Sequence, residues 1–464
     1  MEWALALVAL ALVGVAAVSR RLSGTPITPA ILFVAFGLLV GPKAVGGIDL
    51  SSSSATVRAL AETTLALVLF SDASRIDLRA LRRTVDVPVR LLGIGLPLTI
   101  ALGAVAAAAV FGELSVEEAV ILAVVLAPTD AALGQAVVTE PRVPQRIRQG
   151  LNVESGLNDG ICVPLLFAAV AIADVESGIS GGRSPGALLL EEIGYGVLGG
   201  VAAGLLIAAV LTQAGRRNLI APAWRQVIPA AGAALAYGIA SALDGSGFIA
   251  AFVAGMVFRL ALGRDPEELN ELTEEVGSVL NGVTFVLFGA ILLGPALAEL
   301  SWHLVLYAVL SLTVVRMLPV AIAMWGSRAR RPTLGFLGWF GPRGLASIVF
   351  AVIVVEESQL PHEHLIVLAI YVTVGLSVLA HGLTAAPLAG RYARWYEQHP
   401  RGQAPPMEST PAEVTRPRGP AGHRTSGSTD TGRTSRSEAP MTAQAASSPG
   451  PIEEPLPPAA EKGS

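Results

Sequence analysis

The sequence predicts an all-α polytopic membrane protein with about 13 transmembrane helices. Three observations predict it. Only 15% of the 464 residues are charged and 52% are hydrophobic, whereas soluble domains carry about a quarter charged residues. Apolar runs near the length of a bilayer crossing recur from Met1 to about Ala386. Basic residues gather in alternate loops between those runs, as they do when such loops stay cytoplasmic.

The first run, roughly Trp3 to Val18, is followed by Arg20 and Arg21 and preceded by Glu2. A secretory signal has the opposite order, so this run reads as a first span with its N-terminus outside. Further candidate spans lie near 27–42, 60–74, 89–111, 117–138, 150–174 and 186–213. The remainder lie near 227–243, 246–262, 274–298, 301–325, 332–356 and 364–386.

The inner loops then carry Arg75, Arg79, Arg82 and Arg83; Arg142, Arg146 and Arg148; Arg216 and Arg217; Arg264; Arg328, Arg330 and Arg331; and Arg391 and Arg394. The outer loops hold little beyond Lys43, Arg58 and Arg183. This pattern puts the C-terminus in the cytoplasm of a cell-membrane protein. Residues 1–390 form the membrane domain. Residues 391–464 read as a disordered tail, because Pro, Ser, Thr, Gly and Ala dominate there and no apolar period offsets the ordering entropy. The net charge of −4 is uninformative about partners, since its distribution carries the signal. Cys162 is the one cysteine, which excludes an intrachain disulfide and a cysteine metal cluster.

Two spans are interrupted at their middles. Span 5 breaks at Ala127-Pro128-Thr129-Asp130 and span 12 at Gly341-Pro342-Arg343-Gly344. Proline removes a backbone donor and glycine weakens the helix. Paired broken helices in corresponding halves point to inverted repeats crossing at a midplane site. Each break carries a charge, which an ordinary kink does not need. Asp130 can offset a positive half-helix end, and Arg343 the negative end in span 12.

Charge inside a bilayer is costly and therefore informative. The embedded ionisable residues are Asp72, Asp130, Glu154, Asp159, Arg316 and Arg343. Span 6 is densest. Glu154, Ser155, Asn158 and Asp159 are spaced so that two carboxylates, a hydroxyl and an amide share one helix face. These are oxygen donors, which suit a hard monovalent cation, and no His or Cys joins them. Two adjacent carboxylates in low dielectric need a partner. Arg343 is expected to pair with Glu154, and Glu154 to hold Asn158. That leaves Asp159 to host either a proton or a cation, exchanged one for one by alternating access. Arg316 has no assigned partner at this level. His303, His362, His364 and His381 lie at span ends or alone on apolar faces.

The run APTD, then NVESGLNDG, then a broken GPRG span resembles the NhaP/NHE-type monovalent cation:proton antiporters over roughly residues 1–390. The resemblance implies that Asp159 binds the ion and the proton. It also implies that the Thr129 carbonyl and Ser155 complete the shell, and that Asn158, Asp130, Glu154 and Arg343 support it. Asp72, in Leu69-Phe70-Ser71-Asp72-Ala73, stands where relatives carry a longer acid, and the resemblance implies that it binds the ion or proton, directly or through water. The Asn-Asp pair implies electroneutral exchange of Na⁺, or alternatively K⁺, with no cofactor. The resemblance implies a homodimer in the bilayer and no nucleic-acid partner. A channel would need a filter-like repeat, which the sequence lacks. An organic-solute symporter would want more aromatics than 5%. No HExxH, GxSxG or P-loop marks an enzyme.

Overall fold

The apolar runs fold into helices. The computed structural model of the chain describes residues 2–22, 25–42, 54–76, 86–176, 185–263, 267–357, 360–398 and Glu408, all within the unit Met1–Pro420. Lys43, Arg79, Arg82, Arg83, Arg183, Arg264 and the Pro417–Pro451 stretch lie outside the described residues.

In chain order, α1 is Glu2–Leu22, α2 Pro29–Val40, α3 Ser54–Arg75, α4 Asp86–Arg90 and α5 Leu96–Val110. Then come α6 (Val116–Val125), α7 (Gln135–Thr139), α8 (Gln145–Glu176), α9 (Pro185–Arg216), α10 (Pro222–Ser241) and α11 (Gly247–Leu262). The rest are α12 (Glu267–Leu287), α13 (Gly294–Ala298), α14 (Trp302–Leu312), α15 (Val314–Ala323), α16 (Arg331–Trp339), α17 (Leu345–Glu357) and α18 (Glu363–Gln398). Among the described residues, seven helical stretches are long and apolar enough to cross a membrane, and three more apolar helices are shorter. The α4–α5 and α12–α13 junctions widen into π-helical turns at Leu91–Gly95 and Phe288–Leu293. Pro97 and Pro295 follow those turns and have no N–H to return, which favours the wider turn.

Local chemistry sets the helix ends. The Ser115 hydroxyl accepts from the Glu118 N–H while the Glu118 carboxylate accepts from the Ser115 N–H, a reciprocal cap that starts α6. That same carboxylate also takes the His362 N–H at 2.8 Å, fastening the loop before α18 to the start of α6. Ser246 starts α11, and Gly263, at φ 63°, ends it. Gly196, Gly200 and Gly204 form a small-residue stripe on α9. A Cβ on Gly200 would sit 2.8 Å from Val253 Cβ, and one on Gly204 would sit 2.7 Å from the Ala254 carbonyl. The stripe therefore lets α9 and α11 pack backbone to backbone. Polar pins join α3 to α12, where Asn270 donates to Ser74 at 2.5 Å and Arg75 to Glu274 at 2.7 Å.

The chain after 390 departs from expectation. The last helix runs through Gln398. Glu408 is buried against the start of α16, accepting from the Arg330 N–H at 3.0 Å and the Thr333 hydroxyl at 2.8 Å. A carboxylate at a helix start meets orphaned N–H groups and the positive end of the dipole. The composition of the segment carried no sign of that one seat.

Candidate functional site

The site is built where two interrupted helices meet the middle of α8. In span 5, α6 stops at Val125 and the chain runs non-helically through Ala127–Asp130 before α7. In span 12, α16 stops at Trp339 and α17 resumes at Leu345 after the Gly341-Pro342-Arg343-Gly344 stretch. An interrupted helix leaves carbonyls without donors on one side and N–H groups without acceptors on the other. Buried groups of this kind must find partners.

They find them across the crossing. The Asp130 N–H donates to the Pro342 carbonyl at 2.7 Å. The Asp130 carboxylate accepts the Leu345 N–H at 3.1 Å through Oδ2 and the Ala132 N–H at 2.8 Å through Oδ1. Arg343 Nη1 donates to the carbonyls of Ala127 at 3.1 Å and Pro128 at 3.3 Å. Ser347 donates to the Val125 carbonyl at 2.8 Å. Each charge thus serves the opposite span. Asp130 sits at the positive start of α17 and Arg343 at the negative end of α6. This corrects the expectation that Arg343 offsets the negative end of its own span 12. Gly344 makes the approach feasible, because a Cβ there would stand 2.7 and 2.8 Å from Asp130 Cβ and Cγ.

The expected Glu154–Arg343 pair does not form. Glu154 is held by Arg316, whose Nη1 and Nη2 lie 2.5 and 2.9 Å from the two carboxylate oxygens. Both side chains are almost wholly buried, and the two-pronged geometry suits a guanidinium. Arg316 lies just past the interruption at Thr313 that separates α14 from α15. Gly341 leaves room for it, since a Cβ there would come 2.8 Å from Arg316 Cζ. Asn158 is likewise not held by Glu154. Its amide nitrogen donates to the Thr129 hydroxyl at 2.8 Å, and Ser155 donates to the Thr129 carbonyl. The Asn158 amide oxygen has no hydrogen-bond partner among the described residues.

Thr129, Asp130, Ser155, Asn158 and Arg343 are therefore brought together, with Glu154 and Arg316 behind them. A cavity of about 20 Å³ opens among Thr129, Asp130, Leu151, Ser155, Phe340 and Pro342, room for about one water. Asp159 is 6% exposed and lies one helical turn beyond Ser155 on α8. Asp72, on α3, is buried beside Gly156 and lines a separate cavity of about 10 Å³ with Arg75, Ala131 and Asn152. The structure thus places Asp72 against α8 but outside the Thr129–Ser155 cavity. Two groups that sequence reasoning did not connect to the site are Ser377 and His381 on α18. The Arg343 N–H donates to Ser377 Oγ at 2.6 Å, and His381 Nε2 lies 3.0 Å from the Trp339 carbonyl. A polar pair one turn apart within a long apolar helix was the available signal.

Comparison with known proteins places the chain and its fold. A family model described as the sodium/hydrogen exchanger, transmembrane, matches residues 7–391. The chain is 26% identical over 391 residues to the K(+)/H(+) antiporter NhaP2 of Shewanella oneidensis, covering 80% of this chain and 64% of that one. It is 27% identical over 362 residues to an uncharacterized Na(+)/H(+) exchanger of Mycobacterium tuberculosis, covering 72% and 65%. The chain thus spans slightly under two thirds of the length of these curated relatives. Among solved structures, the sodium proton antiporter MjNhaP1 from Methanocaldococcus jannaschii at pH 8 matches with a TM-score of 0.67 at 20% identity. That match covers 82% of this chain and 98% of the other, and shows a shared fold.

Proposed function

The chain belongs to the sodium/hydrogen exchanger transmembrane family, and from that membership and the site we propose that it exchanges a monovalent cation for a proton at Asp159. One observation carries the assignment to this part of the molecule. The non-helical stretch of span 5 delivers the Thr129 carbonyl and hydroxyl to the face of α8 that bears Ser155, Asn158 and Asp159. Hard cations of low charge are held by such neutral and anionic oxygens.

In this reading Asp159 supplies the charge, and Thr129 and Ser155 supply neutral oxygens. The Asn158 amide oxygen is a further candidate ligand, directly or through water. A cation neutralises the carboxylate from outside and a proton neutralises it from within, so low dielectric favours either guest over an empty, charged site. Glu154 is taken up by Arg316, which reserves it for structure and leaves one switching carboxylate. The exchange is then one for one and electroneutral. Asp72 lines the neighbouring cavity, from which it reaches the ion through water in this reading.

The cation is sodium or potassium. The relative from Shewanella is named for potassium and the one from Mycobacterium for sodium, so both belong in the assay. The arginine distribution supports an N-terminus outside and a cytoplasmic C-terminal segment in the cell membrane. The exposed apolar face of α1, with Trp3, Leu5, Leu10 and Val13, suits lipid or a second copy in a homodimer.

Purified protein in proteoliposomes, carrying an internal pH dye, tests the proposal. Imposed Na⁺ or K⁺ gradients should drive proton movement in the wild type, and Asp159→Asn should abolish it while inserting normally. Cation-driven dequenching retained in Asp159→Asn would overturn the assignment.

A further inference from the structure

We propose that Ser377 and His381 are positioning residues for the ion site, acting through the interruption of span 12. This rests on the site assignment above. It assigns a role to two α18 residues that touch none of the proposed ligands.

The interruption of span 12 has two flanks, and the α18 pair reaches both. On one flank, α16 ends at Trp339, whose carbonyl takes the Gly341 N–H at 2.9 Å and faces His381 Nε2 at 3.0 Å. On the other, the Arg343 N–H donates to Ser377 Oγ at 2.6 Å. The two side chains are one turn apart and touch each other, with Ser377 Oγ 3.2 Å from His381 Nδ1. Both are buried, at 0% and 1% exposure. His381 Nδ1 lies 3.1 Å from the Ser377 carbonyl as well as 3.2 Å from Ser377 Oγ. A carbonyl only accepts, so a bond to Trp339 needs the hydrogen on Nε2, and one to the Ser377 carbonyl needs it on Nδ1. The Ser377 hydroxyl accepts from the Arg343 N–H. Polar contacts thus run from the Arg343 N–H, through Ser377 and His381, to the Trp339 carbonyl. The imidazole also lies against the Trp339 indole, with ring centroids 5.1 Å apart. The indole N–H is in turn tied to Thr384 on the same helix at 3.0 Å.

The brace bears on the site because of what Arg343 does. Its backbone is held by Ser377, while its guanidinium holds the carbonyls of Ala127 and Pro128. Those carbonyls immediately precede Thr129, whose carbonyl and hydroxyl face Ser155 and Asn158. Releasing the Arg343 backbone therefore shifts the grip on the stretch that presents Thr129. Groups that orient ligands in this way typically matter by roughly 10- to 100-fold in ion affinity.

The test is exchange in proteoliposomes by Ser377→Ala, His381→Ala and His381→Gln, with cation KM and maximal rate measured separately. Cation-induced thermal stabilisation in detergent gives a second readout independent of transport. Ser377→Ala and His381→Ala should each raise cation KM about tenfold or more and weaken cation-induced stabilisation in parallel. His381→Gln, which keeps an amide donor for Trp339, should recover part of the affinity. Lower yield or maximal rate with wild-type KM in Ser377→Ala and His381→Ala would make the pair structural only and overturn the inference. If His381→Ala fails to fold, Ser377→Ala alone decides by the same criterion. Absence of exchange and of cation-induced stabilisation in the wild type would instead sink the antiport reading itself.

Discussion

Arg316 closes both terminal nitrogens of its guanidinium on the Glu154 carboxylate, at 2.5 and 2.9 Å, with both side chains shielded from solvent. Breaking one side of such a pair leaves an uncompensated charge in low dielectric, at a cost of about 3–5 kcal/mol. Arg316→Ala should therefore lower the thermal unfolding midpoint in detergent sharply. The double variant Arg316→Met with Glu154→Gln should recover much of the loss. Additive losses in the double variant would show that the two residues act separately.

Arg343→Ala should behave differently, because Arg343 neutralises carbonyl dipoles and not a carboxylate. Its larger effect should fall on transport, with cation KM rising more than the unfolding midpoint falls. Removal of Arg343 that costs as much stability as removal of Arg316 would contradict the assignment of Glu154 to Arg316.

Gly341→Ala and Gly344→Ala probe the crossing without removing a polar group. A methyl on Gly344 would meet the Asp130 carboxylate, and one on Gly341 the Arg316 guanidinium. Overpacking of this kind costs about 1–3 kcal/mol, so both variants should unfold at lower temperature than Gly335→Ala, where a Cβ would meet nothing within 4 Å. Equal midpoints for all three would mean that the crossing yields freely.

Glu140 and Arg142 supply a pH-dependent control away from the site. The Arg142 guanidinium, bonded to Glu140 at 2.7 and 3.0 Å, holds the Glu140 carboxyl below its ordinary value, against the upward push of partial burial. A carboxyl shifted downward on folding stabilises the fold above its ordinary value, and that contribution fades as pH falls through the lowered one. Arg142 is exposed and Glu140 partly so, which leaves the pair open to solvent and salt and its contribution small. Glu140→Gln should leave exchange at neutral pH unchanged and slightly flatten the acid limb of the stability–pH curve. A large loss at neutral pH would show a role for Glu140 beyond this pair.

The all-helical character and the interruptions of spans 5 and 12 were legible because each has a local cause; the count of 13 crossings was not confirmed, and the break at Thr313 was not foreseen. Apolar length marks a crossing, and Pro with Gly and a charge inside such a run marks a break. The Glu154–Asp159 face was legible because helical spacing is local too. Partner choice was not. Arg316 and Arg343 are equally charged, lie in neighbouring spans and are both remote in sequence from Glu154. What separates them is steric, since Gly341 vacates the volume that the Arg316 guanidinium fills. Asn158 turned to Thr129 for a related reason: Glu154 has both oxygens engaged by Arg316, while the non-helical chain brings the Thr129 hydroxyl within reach. The seat of Glu408 depends on a single side chain in a stretch whose composition speaks for the opposite.

The exchange of partners between Asp130 and Arg343 has a mechanical consequence. Each interrupted span is clasped at its cut end by a side chain from the other, and a main-chain bond from Asp130 to Pro342 rivets the two together. Neither strut can tilt, slide or straighten alone without unseating the other. Segments more than two hundred residues apart along the chain are thus joined as a single crosspiece, and in the proposed exchange the movement would fall to the seams around it.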